Sequence, residues 1–333
     1  LKTGADNGDG GDTSDKGEYW IATTRDGTKY YFGLGKVGGG HADTDSVSTV
    51  PVFGNDPKEP CHAAAFKDSS CDQAWSWQLD KVVDVHSNAM VVNYRQEYNY
   101  YAKNKATKTA VKYARASYPL SIEYGLNKDH LDAVPAAKVE FRTEERCLNA
   151  NSGRCDADDF TSDDPAKYRV WYDTPRTLLC KTAISKQCPT FPSFWTRKRL
   201  EKVVTWAHRD GTSALHPIDE WTLSQAFKGE WYQTSPGLWL SGIQHGAYDT
   251  DTTDPDDAPG QTLPAVAFDG TALPNRVRDD SKDIELTYIH PRITGITDEN
   301  GQKTVVAYNK GCTYAPAPKP MRQPLTFVMQ TSI

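Results

Sequence analysis

Val82-Val83-Asp84-Val85-His86-Ser87-Asn88-Ala89-Met90-Val91-Val92-Asn93-Tyr94 places two β-branched runs on either side of a polar turn. Branching at Cβ suits a pleated surface, so both runs favour extended backbone. Upstream, Ala74-Trp75-Ser76-Trp77-Gln78-Leu79-Asp80 alternates apolar and polar. A period of two puts Trp75, Trp77 and Leu79 on one face of a strand. The expectation is one long hairpin: out from Ala74 through Val83, a turn at His86-Ser87-Asn88, and a return through Met90 to Tyr94.

Two more hairpins share this plan. Tyr19-Trp20-Ile21-Ala22-Thr23-Thr24 and Thr28-Lys29-Tyr30-Tyr31-Phe32 flank Arg25-Asp26-Gly27, where glycine accepts the positive φ of a tight turn. Near the other end, Arg292 to Thr297 and Thr304 to Tyr308 flank Asp298-Glu299-Asn300-Gly301. Further strands are expected at Tyr118–Tyr124, Ala137–Arg142, Phe194–Trp206, Trp221–Phe227, Leu238–Tyr248, Leu263–Phe268 and Ile284–Ile289. Helical periodicity is weak throughout. Asn104 to Ala116 has Lys and Ala but no apolar stripe, and reads as a loop or a short helix. The fold class is therefore all-β, built from long antiparallel hairpins.

The 333 residues are polar for their number, with 38% hydrophobic residues and a mean hydropathy of −0.67. The excess is aromatic: 9 Trp, 17 Tyr and 10 Phe against 3 Met. Trp and Tyr bury a flat face while leaving a polar atom at the edge, which suits sheets with a wet face. A net charge of −6 argues against a general nucleic-acid binder, which needs excess Lys and Arg to displace counterions. The basic cluster Arg197, Lys198, Arg199 and Lys202 is read as the solvated face of a strand. No apolar run reaches the roughly 20 residues of a membrane span. The chain has no signal peptide and does not start with Met, which leads to the expectation of a mature or excised segment of something longer.

Of seven cysteines, six fall in close pairs: Cys61 with Cys71, Cys147 with Cys155, and Cys180 with Cys188. Sequence does not fix connectivity; nearest neighbours are chosen because the loops between them are short and polar, as in Leu148 to Arg154. Zinc sites need tighter Cys or His spacing than occurs here. Disulfides imply an oxidising compartment, so the protein is expected to be secreted. Cys312 is left over, either free or paired with a segment outside this chain.

The three hairpins together resemble the YD-repeat pattern of Rhs-family proteins, where an Asp-x-x-Gly-Asn-type turn leads to a strand ending in Tyr. The matching positions are Asp84, Asn88 and Tyr94, and Asp298, Gly301 and Tyr308. Val50-Pro51-Val52-Phe53-Gly54, Cys71-Asp72-Gln73-Ala74-Trp75 and Phe194 to Leu200 are similar to the region that opens the repeats in large secreted Rhs proteins of actinobacteria. Ser87 departs from the pattern, since the repeat usually has Gly there, and the hairpin spacing is irregular. The family's autoproteolysis segment and toxin tip are not visible in this sequence. The resemblance implies a curved, spiralled sheet, shell-like or an open barrel, with disulfide-stapled loops. The resemblance spans the β-module at 18–312; before it, the Gly/Asp-rich composition of 1–17 reads as a flexible linker, and after it lies a Pro-rich segment at 313–333. The implied role is a non-catalytic structural module whose shell encloses or presents a toxin in competition between bacteria. Its partners would be the rest of the polypeptide and its toxin cargo, with no cofactor. The alternative is an extracellular module binding carbohydrate or another cell-surface partner; a glycoside hydrolase ranks below it.

Several stretches bear on chemistry. Asp6, Asp9 and Asp12 fail the EF-hand pattern, because Gly8 and Gly10 stand where oxygen ligands belong. Gly33-Leu34-Gly35-Lys36-Val37-Gly38 matches a dinucleotide-binding pattern, but the next residues, Gly39-Gly40-His41-Ala42-Asp43-Thr44, should not start a helix, so a mobile loop is expected. Glu144-Glu145 and Asp219-Glu220 are adjacent acids that point to opposite faces of a strand, so neither pair makes a glycosidase site alone. His216 and His290 lack a nucleophile motif. The acidic stretch Asp249 to Asp257 reads as a solvated loop that could hold calcium. Trp231, Tyr232 and Trp239 could stack on sugar rings.

Overall fold

The computed structural model describes residues 1–10, 17–148, 155–184, 188–228, 236–274, 289–308 and 328–332. The chain divides into two compact units, each described by itself. The first unit (Leu1–Arg146, Thr174–Ile218 and Thr250–Asp256) contains β1 (Trp20–Thr23), β2 (Lys29–Phe32), β3 (Val47–Phe53), β4 (Ser70–Trp77), β5 (Leu79–Val83), β6 (Asn88–Tyr101), β7 (Val111–Asn127), β8 (Ala137–Glu145) and β9 (Lys198–His208). Strand β10 (Leu215–Phe227) starts in it and continues in the second unit. The second unit (Cys147–Asp173, Asp219–Asp249 and Asp257–Ile333) adds α1 (Ala157–Thr161), α2 (Pro165–Tyr168), β11 (Leu238–Ala247), β12 (Gln261–Thr262), β13 (Val266–Pro274), β14 (Ile289–Thr297), β15 (Lys303–Ala307) and β16 (Val328–Ser332).

Among the described residues, all strands except β3 and β4 belong to a fourteen-stranded antiparallel sheet, ordered β1-β2-β5-β6-β7-β8-β9-β10-β11-β13-β14-β15-β16, with β12 on β11. The order is nearly that of the chain, a meander of hairpins, and among the described residues the sheet is not closed. The all-β, disulfide-stapled class read from the sequence is the one observed.

The expected long strand from Ala74 through Val83 is broken. β4 pairs with β3 in a separate two-stranded sheet, and β5 pairs with β2 and β6. The break falls at Gln78. Its N–H donates to Ser46 O and its carbonyl accepts from Gly33 N–H, each at 2.9 Å. With both groups taken by loops, neither can join a ladder. Two residues on, Asp80 is fully buried and accepts from Gly35 N–H at 2.9 Å and Ser46 Oγ at 2.7 Å.

Other boundaries move for similar reasons. Asn104 to Ala116 is a single 3₁₀ turn (Lys103–Lys105) followed by the start of β7, which runs seventeen residues along β6 with three register shifts. Tyr113, Ala114 and Arg115 are buried there, so tertiary burial overrides the weak local pattern. Val47–Phe53 is a strand where none was expected. The 194–206 strand starts only at Lys198, the Trp221 strand starts at Leu215, and 263–268 gives way to β12 and β13. Of 284–289, only Ile289 lies among the described residues. Short helices α1 and α2 bury Phe160 against Trp171, ring centres 5.4 Å apart.

Residues 1–10, expected as part of a flexible linker, are anchored by two buried side chains. Asn7 Nδ2 donates to Gly33 O (2.7 Å) and Glu18 O (2.8 Å), and Asp9 accepts from Glu18 N–H and Ala74 N–H (both 3.3 Å).

The core is local. One cluster joins Val37, Ala89, Val91, Leu126 and Leu131, and another joins Val50, Tyr101 and Tyr113. Each Val or Leu among them contributes about 1.5–3 kcal/mol by leaving water. Beyond these clusters the sheet changes character. In β8, β9, β10 and β11 most residues are half-buried whichever face they point to, with Glu145, Val204 and Glu220 among the few that are buried. A sandwich strand would alternate buried and exposed; these strands have both faces partly wet.

Candidate functional site

Three hairpin turns share one hydrogen-bond frame. In each, the first residue's N–H donates to the carbonyl of the residue four on, and the fourth residue's N–H donates back to the first carbonyl. The pairs are Thr24 with Thr28 and Gly27, Asp84 with Asn88 and Ser87, and Asp298 with Gln302 and Gly301, at 3.0–3.2 Å. The fourth residue has positive φ every time: Gly27 at 88°, Ser87 at 70° and Gly301 at 83°. This is the three-residue loop in which a left-handed residue closes the turn as a bulge.

A carboxylate fills each loop. Asp84 Oδ1 accepts from His86 N–H and Asn88 N–H, both at 2.8 Å, and Asp298 Oδ1 accepts from Asn300 N–H (2.9 Å) and Gln302 N–H (2.8 Å). Asp26 sits two places later and accepts from Thr28 N–H at 3.2 Å and from two threonine hydroxyls. The Asn88 side chain, and then backbone N–H groups, hold the Asp84 carboxyl below its ordinary value; the Thr24 hydroxyl does the same for Asp26.

The tyrosines expected to end the two matching strands differ: β6 runs on past Tyr94 to Tyr101, because β7 continues to pair with it, and β15 stops one residue before Tyr308. Tyr94 is half-buried, gives its hydroxyl proton to Leu79 O at 2.8 Å, and burial pushes its pKa up to about 12. Tyr308 is exposed. Tyr94 thus ties β6 across the break beside Gln78.

The disulfides join Cys61 to Cys71, Cys147 to Cys155 and Cys180 to Cys188. Each closes a loop and removes roughly 2–4 kcal/mol of unfolded-state freedom. Cys312 lies outside the described residues, as do Trp231 and Tyr232.

The remaining candidates have architectural partners. The Gly33–Gly38 loop opens no helix. It is docked by Asp80 on Gly35, by Lys81 Nζ on Val37 O (2.6 Å), and by burial of Val37. Glu145 is buried and forms ion pairs with Arg197 Nε and Lys198 Nζ, both at 2.9 Å, while Arg199 meets Glu201 at 3.1 Å. The basic cluster is therefore paired rather than simply solvated. Asp219 meets His245 Nε2 at 3.0 Å, whereas Glu220 is buried and accepts from Tyr248 Oη (2.5 Å) and Thr222 Oγ1 (3.1 Å). His216 and His290 contact backbone carbonyls, of Thr252 (3.4 Å) and Pro291 (3.3 Å). Trp239 Nε1 donates to Phe268 O at 3.3 Å, fixing its indole to the neighbouring chain. In the acidic loop, Asp256 pairs with Arg142 and its N–H donates to Asp254. Among the described residues, no three His, Cys, Asp or Glu side chains are grouped to hold a metal ion.

Two constellations escaped sequence reading. Arg115 and Glu97 form a buried ion pair at 2.8 Å, with the guanidinium 3.6 Å above the Trp195 ring, and Glu97 also accepts from Arg197 N–H at 3.1 Å. This clamp holds the 193–197 segment on β6 and β7. A polar pocket of about 570 Å³ is lined by His41, Asp45, Asn93, Arg95 and Glu123, among others. There His41 Nε2 lies 3.3 Å from Glu123, whose hydrogen bond raises the histidine pKa against the opposing effect of burial. Neither has a local signal, because the partners lie 18 and 82 residues apart.

No family model and no curated protein matches the sequence. Among solved structures, TcdB2-TccC3 is similar over 93% of this chain and 15% of its own length, at 13% identity and a TM-score of 0.32. The N-terminal domain of the effector SpvB from Salmonella typhimurium strain LT2 is similar over 71% of this chain and 63% of its own, at 12% identity and a TM-score of 0.34. This chain thus spans about a seventh of the former's length, and no residue's role follows from either likeness.

Proposed function

We propose that this chain is a non-catalytic wall: part of a β-shell in a larger secreted polypeptide of the Rhs type, which encloses or presents a toxin. One observation carries the reading. Strands β8 to β11 are mostly half-buried on both faces, as befits a sheet with water or cargo on either side rather than a core on one. The repeated turn frame at Thr24, Asp84 and Asp298 supports it, since one hairpin unit can extend such a wall indefinitely. Three disulfides support an oxidising compartment. Among the described residues no helix is long and apolar enough to cross a membrane.

The test uses the longest natural polypeptide containing this chain. Its cargo segment should resist protease in the native protein and be digested once the wall is unfolded by mild denaturant. Cargo cleaved equally fast before and after unfolding would refute enclosure.

A further inference from the structure

From Tyr98 to Ile122 the sequence carries Lys103, Lys105, Lys108, Lys112 and Arg115 and not one acid, within a chain of net charge −6. Arg115 is committed to Glu97, and Lys112 lies 3.6 Å above the Tyr98 ring. Lys103, Lys105 and Lys108 remain on the loop between β6 and β7, the last two exposed.

Two disulfide loops adjoin that loop. Lys103 Nζ is 2.7 Å from Ser70 Oγ and 5.8 Å from the centre of Phe53. Phe53 in turn stacks on Phe66 of the Cys61–Cys71 loop, at 5.1 Å and 14°. Phe66 is nevertheless 61% exposed, and Lys67 beside it is exposed too. Ser69 Oγ bonds to both the N–H and the carbonyl of Ala63 at 2.7 Å, fixing the loop that presents the ring. On the other side, Ala110 N–H donates to Thr182 O and Ile184 N–H to Lys108 O, which brings in exposed Lys181. The nearby acids are Asp56, Glu59, Asp68 and Asp72; Glu59 is occupied by the N–H groups of Asn55 and Asp56.

We infer that this end of the first unit docks on an anionic lipid bilayer, with Phe66 entering the headgroup boundary and Lys67, Lys103, Lys105 and Lys108 facing lipid phosphates. An exposed phenyl ring on a fixed loop, with lysines on that loop and on the loop adjoining it, gains from both halves of such an interface: apolar area leaves water, and cations meet the negative surface. A soluble polyanion would use the lysines and leave the ring in water.

The experiment is vesicle co-sedimentation of the whole chain. It should bind phosphatidylcholine vesicles containing phosphatidylglycerol, bind pure phosphatidylcholine weakly, and release with salt. Lys105→Glu with Lys108→Glu should weaken partitioning by about five-fold or more per site, and Phe66→Ser by about ten-fold. Unchanged near-ultraviolet circular dichroism checks that both variants fold. Equal binding to both vesicle types would overturn the inference. So would Phe66→Ser binding unchanged while soluble polyphosphate competes fully, which would assign the lysines to a polyanion.

Discussion

Ser87 and Gly301 hold the same place in two turns far apart in the chain, at φ of 70° and 83°, each donating its N–H to the aspartate three residues before it. Serine meets the left-handed region with its Cβ against the following carbonyl, at about 1–2 kcal/mol; glycine avoids this but loses more freedom on folding. The two substitutions should therefore move stability in opposite directions. Ser87→Gly should raise the urea midpoint and Gly301→Ser lower it, each by the equivalent of about 0.5–1 kcal/mol. Shifts of the same sign would show that the turns are not equivalent.

Asp84 should make the β5–β6 hairpin acid-sensitive. Its folded pKa lies below the ordinary value, so its contribution is complete above the unfolded carboxyl pKa of about 3.9 and is lost as pH falls through the lower folded value. Asp84→Asn should thus narrow its stability gap from the parent below about pH 4. A gap independent of pH would remove the charge from the account.

Asp80 should behave in the opposite sense. Burial raises its pKa, so the native state holds the proton longer than the unfolded chain does. Its presence should cost increasing stability as pH rises from the ordinary Asp value through the raised one. Asp80→Asn should accordingly gain on the parent over that window. Asp80→Ala should lose about 2–4 kcal/mol below that window and less above it, because the buried Ser46 hydroxyl loses its acceptor and Gly35 N–H keeps only its longer bond to Ser46 Oγ.

The Arg115–Glu97 clamp can be weighed by a double-mutant cycle. Arg115→Met leaves a buried carboxylate facing Thr196 and Arg197 without its cation, and should cost about 3–5 kcal/mol. Adding Glu97→Gln should recover part of that loss. A double variant no better than the sum of the singles would deny the coupling.

What was legible in the sequence was local. The Asp26-Gly27, Asp84 and Asp298 turns could be read because one carboxylate and one left-handed residue close the loop within five positions. The strand break at Gln78 was not, because it depends on Gly33 and Ser46 arriving from elsewhere. Tyr113 to Arg115 read as featureless because their burial is supplied by Val50, Trp195 and Glu97. Asn7 and Asp9 sit in a Gly-rich stretch whose polarity suggested a linker, yet that polarity satisfies the backbone of Gly33, Glu18 and Ala74. The adjacent acids Asp219 and Glu220 did diverge as strand alternation requires, one to His245 and the other to Tyr248.

The wall reading rests on strands whose two faces are both partly wet, and consecutive residues of β9 test it most directly. Lys202 and Val203 point to opposite faces and are both half-buried. Single cysteines placed at each, with Cys312 replaced by serine, should react with a soluble maleimide at similar rates in the folded chain. Protection of the residue 203 thiol by orders of magnitude relative to residue 202 would mean a dry core on one side, and would contradict the wall.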